Sequence, residues 1–108
     1  MTGKKMLPEE DLRLIGSQLR YIRNTFGMTM QQVADETCLS LFTIVNAEKG
    51  HSVSRATCNH LLFFYLWILN TYSKQIIEIP SFDLETLQDA FATIKTTLFR
   101  SNDTTTEE

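Results

Sequence analysis

The chain is poor in residues that interrupt helices, with only four glycines and two prolines among its 108 residues. Because few breaks leave long stretches free for regular backbone, this composition favours helices. Long apolar runs are also lacking: the longest, residues 61–69, is far below the about 20 residues that span a bilayer. The segment PEEDLR follows the first lysines, so we expect no signal peptide.

Cysteine and histidine are equally scarce, with two of each. Cys38 and Cys58 are isolated, which fits a reducing, cytoplasmic setting. Cys58-x-His60 lacks the paired ligand spacing of a zinc site, and no base is predicted beside Cys38. The acidic residues 9–11 are interpreted as a helix start rather than a catalytic pair. We therefore expect no metal, no cofactor and no enzymatic activity.

Positive charge is not in excess, since the formal net charge is −3. Residues 1–65 contain seven Lys/Arg and six Asp/Glu, whereas residues 66–108 contain three and seven, so the acidity lies towards the C-terminus. No basic stripe appears of the kind that supplies strong non-specific binding to nucleic acid.

The patterns that are present predict an all-α fold of five helices. Residues 1–8 are expected to form a flexible arm, and Pro8 precedes the acidic start of helix 1. Apolar residues then recur at intervals of three and four up to Gly27, which trace one helix face. Thr29-x-x-Gln32 predicts a capping box for helix 2. Ser40 and Gly50 predict the ends of helix 3, residues 41–49.

Helix 4 is predicted over residues 55–73, and its middle is apolar on all sides, which indicates burial on more than one side and a subunit contact. Residues 75–79 form a short extended candidate. The extension 74–100 contains helix 5, whose apolar positions follow a two-heptad seam typical of helix–helix packing. We expect this seam to pack on helix 4, in the same chain or a second copy, and to mediate dimerisation. The polar tail, residues 101–108, is predicted to be disordered. The seam consists of Leu84, Leu87, Phe91, Ile94 and Leu98.

Residues 15–66 contain a series of short motifs: Ile15-Gly16, Leu19-Arg20-x-Ile22-Arg23, Met28-Thr29, Val33-Ala34, Leu39-Ser40, Thr43-Ile44, Glu48-x-Gly50 and Val53-Ser54. With these motifs the segment resembles the phage-repressor (Cro/repressor, XRE-like) helix-turn-helix domain. The resemblance implies a domain over residues 9–73 with an extra C-terminal amphipathic helix, and a structural ion pair between Arg23 and Glu48.

The resemblance also implies a DNA-facing surface. Two departures from the family pattern are Met30, where the family usually has a phosphate-gripping Gln, and Cys38, where it usually has Gly in the turn. The implied base-reading residues are Ser40, Leu41, Phe42, Val45 and Asn46. The implied phosphate contacts are Thr29, Gln31, Lys49, His51 and Arg55, with Arg20 as an additional charge.

Most of the implied reading face is apolar. Only Asn46 can make the paired hydrogen bonds that distinguish adenine. Leu41, Phe42, Val45 and Met30 allow three interpretations: contacts to thymine methyl groups, a patch that binds another protein, or core residues of a rotated helix.

The sequence therefore predicts a DNA-binding transcriptional regulator, a homodimer on a pseudo-palindromic operator whose half-sites lie about 34 Å apart. The alternative is a protein-interaction module, antitoxin- or antirepressor-like, that has the fold but weak or no DNA binding.

Overall fold

The computed structural model describes residues 7–75 and 84–106, with side chains for residues 7–71 and 84–99. Within these ranges the backbone forms five α-helices and no strand, which confirms the predicted all-α, five-helix fold. None of these helices combines the length and apolar character that crossing a membrane requires. The helices are α1 (Glu9–Thr25), α2 (Met30–Thr37), α3 (Leu41–Lys49), α4 (Arg55–Gln75) and α5 (Leu84–Thr106).

Side-chain caps set the ends of α2 and α3. The Thr29 hydroxyl accepts from the Gln32 backbone N–H at 3.0 Å, and the Gln32 side chain accepts from the Thr29 N–H at 2.8 Å. This is the predicted capping box, which satisfies two backbone donors that a helix N-terminus leaves free. Ser40 caps α3 by accepting from the Thr43 N–H at 3.0 Å. Gly50, with φ of 75°, ends α3.

The N-terminal boundary differs from the prediction at one residue. Leu7, assigned to the flexible arm, is only 5% exposed and belongs to the hydrophobic core. Residues 1–6, the rest of that arm, lie outside the described residues. The apolar Leu7 side chain is buried because α1 begins two residues later and brings it against the core.

The C-terminal boundaries also differ. Helix α4 continues to Gln75, and α5 continues to Thr106, six residues beyond the predicted boundary at 100. Residues 101–106 are therefore helical, which corrects the prediction of a disordered tail there. Composition misses this because extending an existing helix fixes one residue per hydrogen bond, whereas starting one is costly. Most of the extended candidate, residues 76–79, lies outside the described residues.

The core is formed by the buried sides of all five helices. Helix α5 packs mainly against α1 and also against α4. Burial of its seam within one chain corrects the prediction that these residues form a dimer interface, since a side chain enclosed by its own chain is not available to a second copy. The seam periodicity identified the buried face correctly but could not identify its neighbour. The residues concerned are Leu87, Phe91, Ile94 and Leu98, each at most 4% exposed, whereas Leu84 is 49% exposed.

Candidate nucleic-acid interface

The candidate site is built on α2, a tight turn and α3. Val33 and Ala34 bury the inner side of α2, and Ile44 and Ala47 bury that of α3. The turn between the helices passes through Cys38, whose φ of 64° and ψ of 24° place it in the left-handed region. A non-glycine residue there costs roughly 1–2 kcal/mol. The turn therefore has a left-handed residue without glycine at this position, and it does so with local strain.

A buried ion pair fixes the end of α3 to α1. Arg23 donates from Nε to Glu48 Oε2 at 2.6 Å and from Nη2 to Glu48 Oε1 at 3.0 Å. The two side chains are only 10% and 7% exposed. The hydrogen bond to Glu48 raises the pKa of Arg23 against the opposing effect of burial. The Arg23–Glu48 pair that the family resemblance implied is thus present, with the two-pronged geometry of strong guanidinium–carboxylate contacts.

Arg23 also stabilises the turn that precedes α2. Its Nη1 donates to the Met28 carbonyl at 2.9 Å. One guanidinium therefore ties together the last turn of α1, the entry to α2 and the last turn of α3. Since α3 carries the candidate reading face, this contact determines how that face is presented.

Glycine at two positions allows α1 and α3 to approach closely. A Cβ atom on Gly16 would lie 2.6 Å from the backbone oxygens of Ala47 and Glu48. A Cβ atom on Gly50 would lie 2.8 Å from the Arg13 backbone. These distances are shorter than real Cβ contacts, so a side chain at either position would push the two helices apart. The glycines thus set the depth at which α3 sits against α1.

The outward side of α3 is solvent-exposed and largely apolar. Phe42 is 73% exposed and Leu41 is 42% exposed, while Val45 and Asn46 are half-buried. The Phe42 exposure contradicts the interpretation of these residues as core of a rotated helix, so a DNA contact and a protein contact remain. Met30 differs from them, since it is half-buried and packs against the core.

Most of the polar residues implied as phosphate contacts lie at the surface. Thr29, Gln31, Ser40, Lys49 and His51 are exposed. The Gln31 side-chain amide donates to an Asp35 carboxylate oxygen at 3.0 Å, and the Ser40 hydroxyl lies 2.9 Å from that of Thr43. Lys49 forms no ion pair with any other described residue. Thr29, Gln31 and Ser40 lie at the N-termini of α2 and α3, where free backbone N–H groups favour an anion. Lys49 and His51 lie at the other end of α3.

Arg55 does not occupy the surface position expected of a phosphate contact. Its side chain is half-buried, and Nη1 donates to the Leu98 carbonyl of α5 at 2.8 Å. This contact holds the start of α4 against α5, so we assign Arg55 a structural role rather than a phosphate contact. The resemblance could not indicate this contact, because it covers residues 15–66 and α5 lies outside that segment.

The Cys58-x-His60 motif on α4 has a structural explanation, although His60 is exposed and only Cys58 is buried. His60 Nε2 lies 3.0 Å from the Thr37 carbonyl, which links α4 to the end of α2. Cys58 is fully buried, and burial raises the pKa of its thiol to about 11, which disfavours a reactive thiolate. Among the described residues, no group of three His, Cys, Asp or Glu is placed to hold a metal ion.

Two aromatic residues in the apolar middle of α4 are exposed to solvent. Phe63 and Trp67 lie one helical turn apart on α4 and are 65% and 61% exposed. The apolar middle of helix 4 was predicted to be buried on more than one side, and Tyr65, which is 1% exposed, is buried. A helix that is apolar on every side shows no periodic alternation of apolar and polar residues. Its sequence therefore cannot indicate which side is exposed, and only the packing of the other helices decides that.

Comparison with known proteins adds no relative, because no protein-family model, curated protein or solved structure matches the chain.

Proposed function

We propose that this protein is a sequence-specific DNA-binding regulator of the phage-repressor type, which inserts α3 into the major groove as one half of a homodimer and carries out no chemical step. The observation that carries the proposal is the α2–turn–α3 unit. Its inner side is held by the Arg23–Glu48 pair, while its outer side is exposed. A short helix that is rigidly mounted yet free on its outer side is what groove insertion requires.

The chemistry of the outer side favours particular contacts. Asn46 has an amide that can donate to and accept from one adenine edge, and Leu41 and Phe42 are suited to thymine methyl groups. The exposed Lys49 and His51, together with the free N–H groups at the starts of α2 and α3, surround this face and suit phosphate oxygens. These features support a site rich in A·T pairs.

Selection of bound sequences from a random duplex library tests the proposal directly. We expect a recovered site with two related half-sites about 34 Å apart. Affinity for that site should fall steeply between about 50 and 200 mM salt, because bound phosphates release counterions. No measurable affinity for any duplex at 50 mM salt would overturn the proposal.

A matched pair of asparagine variants locates the reading surface. Asn46→Ala should weaken binding to the selected site by about 1–3 kcal/mol and relax the preference at one base pair. Asn24→Ala alters an exposed asparagine on α1, outside the candidate reading face, and should bind as the wild type does. Equal affinities of the two variants would contradict a reading role for Asn46.

The large exposure of Phe42 favours one alternative, a protein-interaction module of antitoxin or antirepressor type. An aromatic side chain that is 73% exposed beside Leu41 forms an apolar patch, and such patches often mark protein contacts. The selection experiment separates the two functions. A chain that recovers no DNA sequence, yet binds a protein partner and loses that partner on Phe42→Asp, would be an interaction module.

A further inference from the structure

Helix α4 exposes an aromatic surface that the proposed reading face does not use. We name the exposed side chains Phe63, Trp67 and Phe99, together with the half-buried Leu66, the α4–α5 face. Phe63 and Trp67 lie on one side of α4, and Leu66 follows Phe63 by three residues on the same helix. Phe99, 57% exposed on α5, lines the same cavity as Leu66.

This face carries no charge along α4. Residues 56–73 contain no Lys, Arg, Asp or Glu. A solvent-exposed helix surface normally carries charged residues opposite its buried side, whereas the centre of a protein interface is depleted of charge and enriched in Phe, Tyr and Trp. The composition of the exposed side of α4 is therefore that of an interface centre.

The exposed area is appropriate for a subunit contact. Large aromatic side chains bury about 150–250 Å² each, so Phe63, Trp67 and Phe99, each exposed by roughly three-fifths, leave about 300–450 Å² open. That is close to half of the about 800 Å² that each partner contributes to a standard interface. A cavity of about 420 Å³ between α4 and α5 adds a recess beside Phe99 and Leu66, and Gln88 and Lys95 also line it.

We infer that the α4–α5 face binds the same face of a second copy of this chain. In a two-fold contact each residue near the axis meets its own counterpart, so a charged face repels itself and an uncharged face does not. The chain carries a net charge of −3, which makes copies repel one another, and α4 offers them a long uncharged surface. The absence of charge along α4 therefore fits contact with a second copy of the chain better than contact with another protein that binds through opposite charges.

The position of α4 leaves the reading face free in such a dimer. Helix α3 packs against α1 and α2, whereas α4 packs against α1, α2 and α5. The two faces thus belong to different helices of the domain. The inference rests on the proposed function for the role of the dimer, which is to present two copies of α3 to two half-sites.

The protein has a single tryptophan, and it lies on this face, so the full chain reports on the contact without a label. Sedimentation velocity should show a dimer at tens of micromolar and dissociation on dilution. Trp67 emission should shift to longer wavelength over the same concentration range, because its ring becomes exposed to water. A chain that stays monomeric at 100 μM would overturn the inference. So would a dimer whose dissociation leaves Trp67 emission unchanged.

Two exposed phenylalanines provide a matched pair of variants. Phe63→Asp should raise the dissociation constant of the dimer at least about 30-fold, as expected for a central interface aromatic. Phe42→Asp introduces the same change on α3, where the ring is 73% exposed, and should leave the dimer intact. Far-UV circular dichroism and urea unfolding should show both variants folded, and Phe63→Lys provides a second disruption should Phe63→Asp fail to fold.

The same variants separate this inference from the proposed function. A dimer that survives both Phe63→Asp and Phe63→Lys, or one that is lost in folded Phe42→Asp, overturns the α4–α5 face. A wild-type dimer that needs Phe63 but binds no DNA supports the face and overturns the proposed function. A wild-type monomer that binds a single half-site overturns the face and leaves α3 as a reader of DNA.

Discussion

Removing one side of the Arg23–Glu48 pair should destabilise the domain far more than its single charge suggests. Glu48→Gln keeps the side-chain shape and leaves Arg23 facing an amide in a site where the pair is 10% and 7% exposed. Losing one partner of a buried ion pair typically costs 3–5 kcal/mol because the other charge remains without compensation. Since a small solvent-accessible edge remains, we take the lower end and expect about 3 kcal/mol.

Urea unfolding followed by circular dichroism measures this loss, and thermal unfolding should show a midpoint lower by roughly 10–20 °C. The exposed Arg13–Glu9 pair is a matched control within the same chain. Its side chains are 61% and 78% exposed, and its N···O distance is 3.2 Å. Glu9→Gln should therefore cost at most about 0.5 kcal/mol, as for exposed helix pairs.

A double variant tests the physical reason. Arg23→Met combined with Glu48→Leu removes both charges, so its cost should be well below the sum of the two single changes. Some loss should remain because the Met28 carbonyl also accepts from Arg23. Should Glu48→Gln cost no more than Glu9→Gln, or should the double variant equal the sum of the singles, the explanation by an uncompensated buried charge would be refuted.

Three further predictions concern the turn, the helix crossing and the buried thiol. Gly16→Ala should lower the free energy of unfolding, measured with urea, by about 3 kcal/mol, because its Cβ would overlap backbone oxygens of α3. Gly27→Ala is the control: a Cβ there meets open space at φ of 71°, so the same measurement should show a loss of only about 1 kcal/mol. Cys38→Gly should stabilise the domain by about 0.5–1 kcal/mol by relieving the left-handed turn, and an unchanged or lower urea midpoint would contradict that strain. Burial raises the pKa of Cys58 from 9.0 to about 11, so the unfolded chain loses this proton first. The stability that this thiol contributes should be full below pH 9 and should fall by about 1.4 kcal/mol per pH unit between about pH 9 and 11. Cys58→Ala should flatten that slope between pH 9 and 10, and a thiol reagent should label exposed Cys38 in the native state but Cys58 only on unfolding.

The sequence by itself determined the local elements of this protein. Thr29 with Gln32, Ser40 and Gly50 predicted where α2 begins and where α3 begins and ends, because capping depends on residues at most four positions apart. The buried sides of α1 and of α5 were also predicted from the sequence, because apolar residues three and four positions apart define one helix face without reference to the rest of the fold. The candidate reading face came instead from the resemblance to the phage-repressor family, and the structure leaves Phe42 and Leu41 of that face exposed.

Only the tertiary structure decided what the helices face. The seam of α5 was predicted as a dimer contact, but it is buried mainly against α1. Arg55 was expected at a phosphate, but it bonds to α5. In both cases the partner lies far away in the sequence, and periodicity specifies a buried side without specifying the neighbour. Helix α4 shows the same limit most clearly. Its uniformly apolar middle gave no preferred side, and the packing of α1, α2 and α5 around it left Phe63 and Trp67 in solvent.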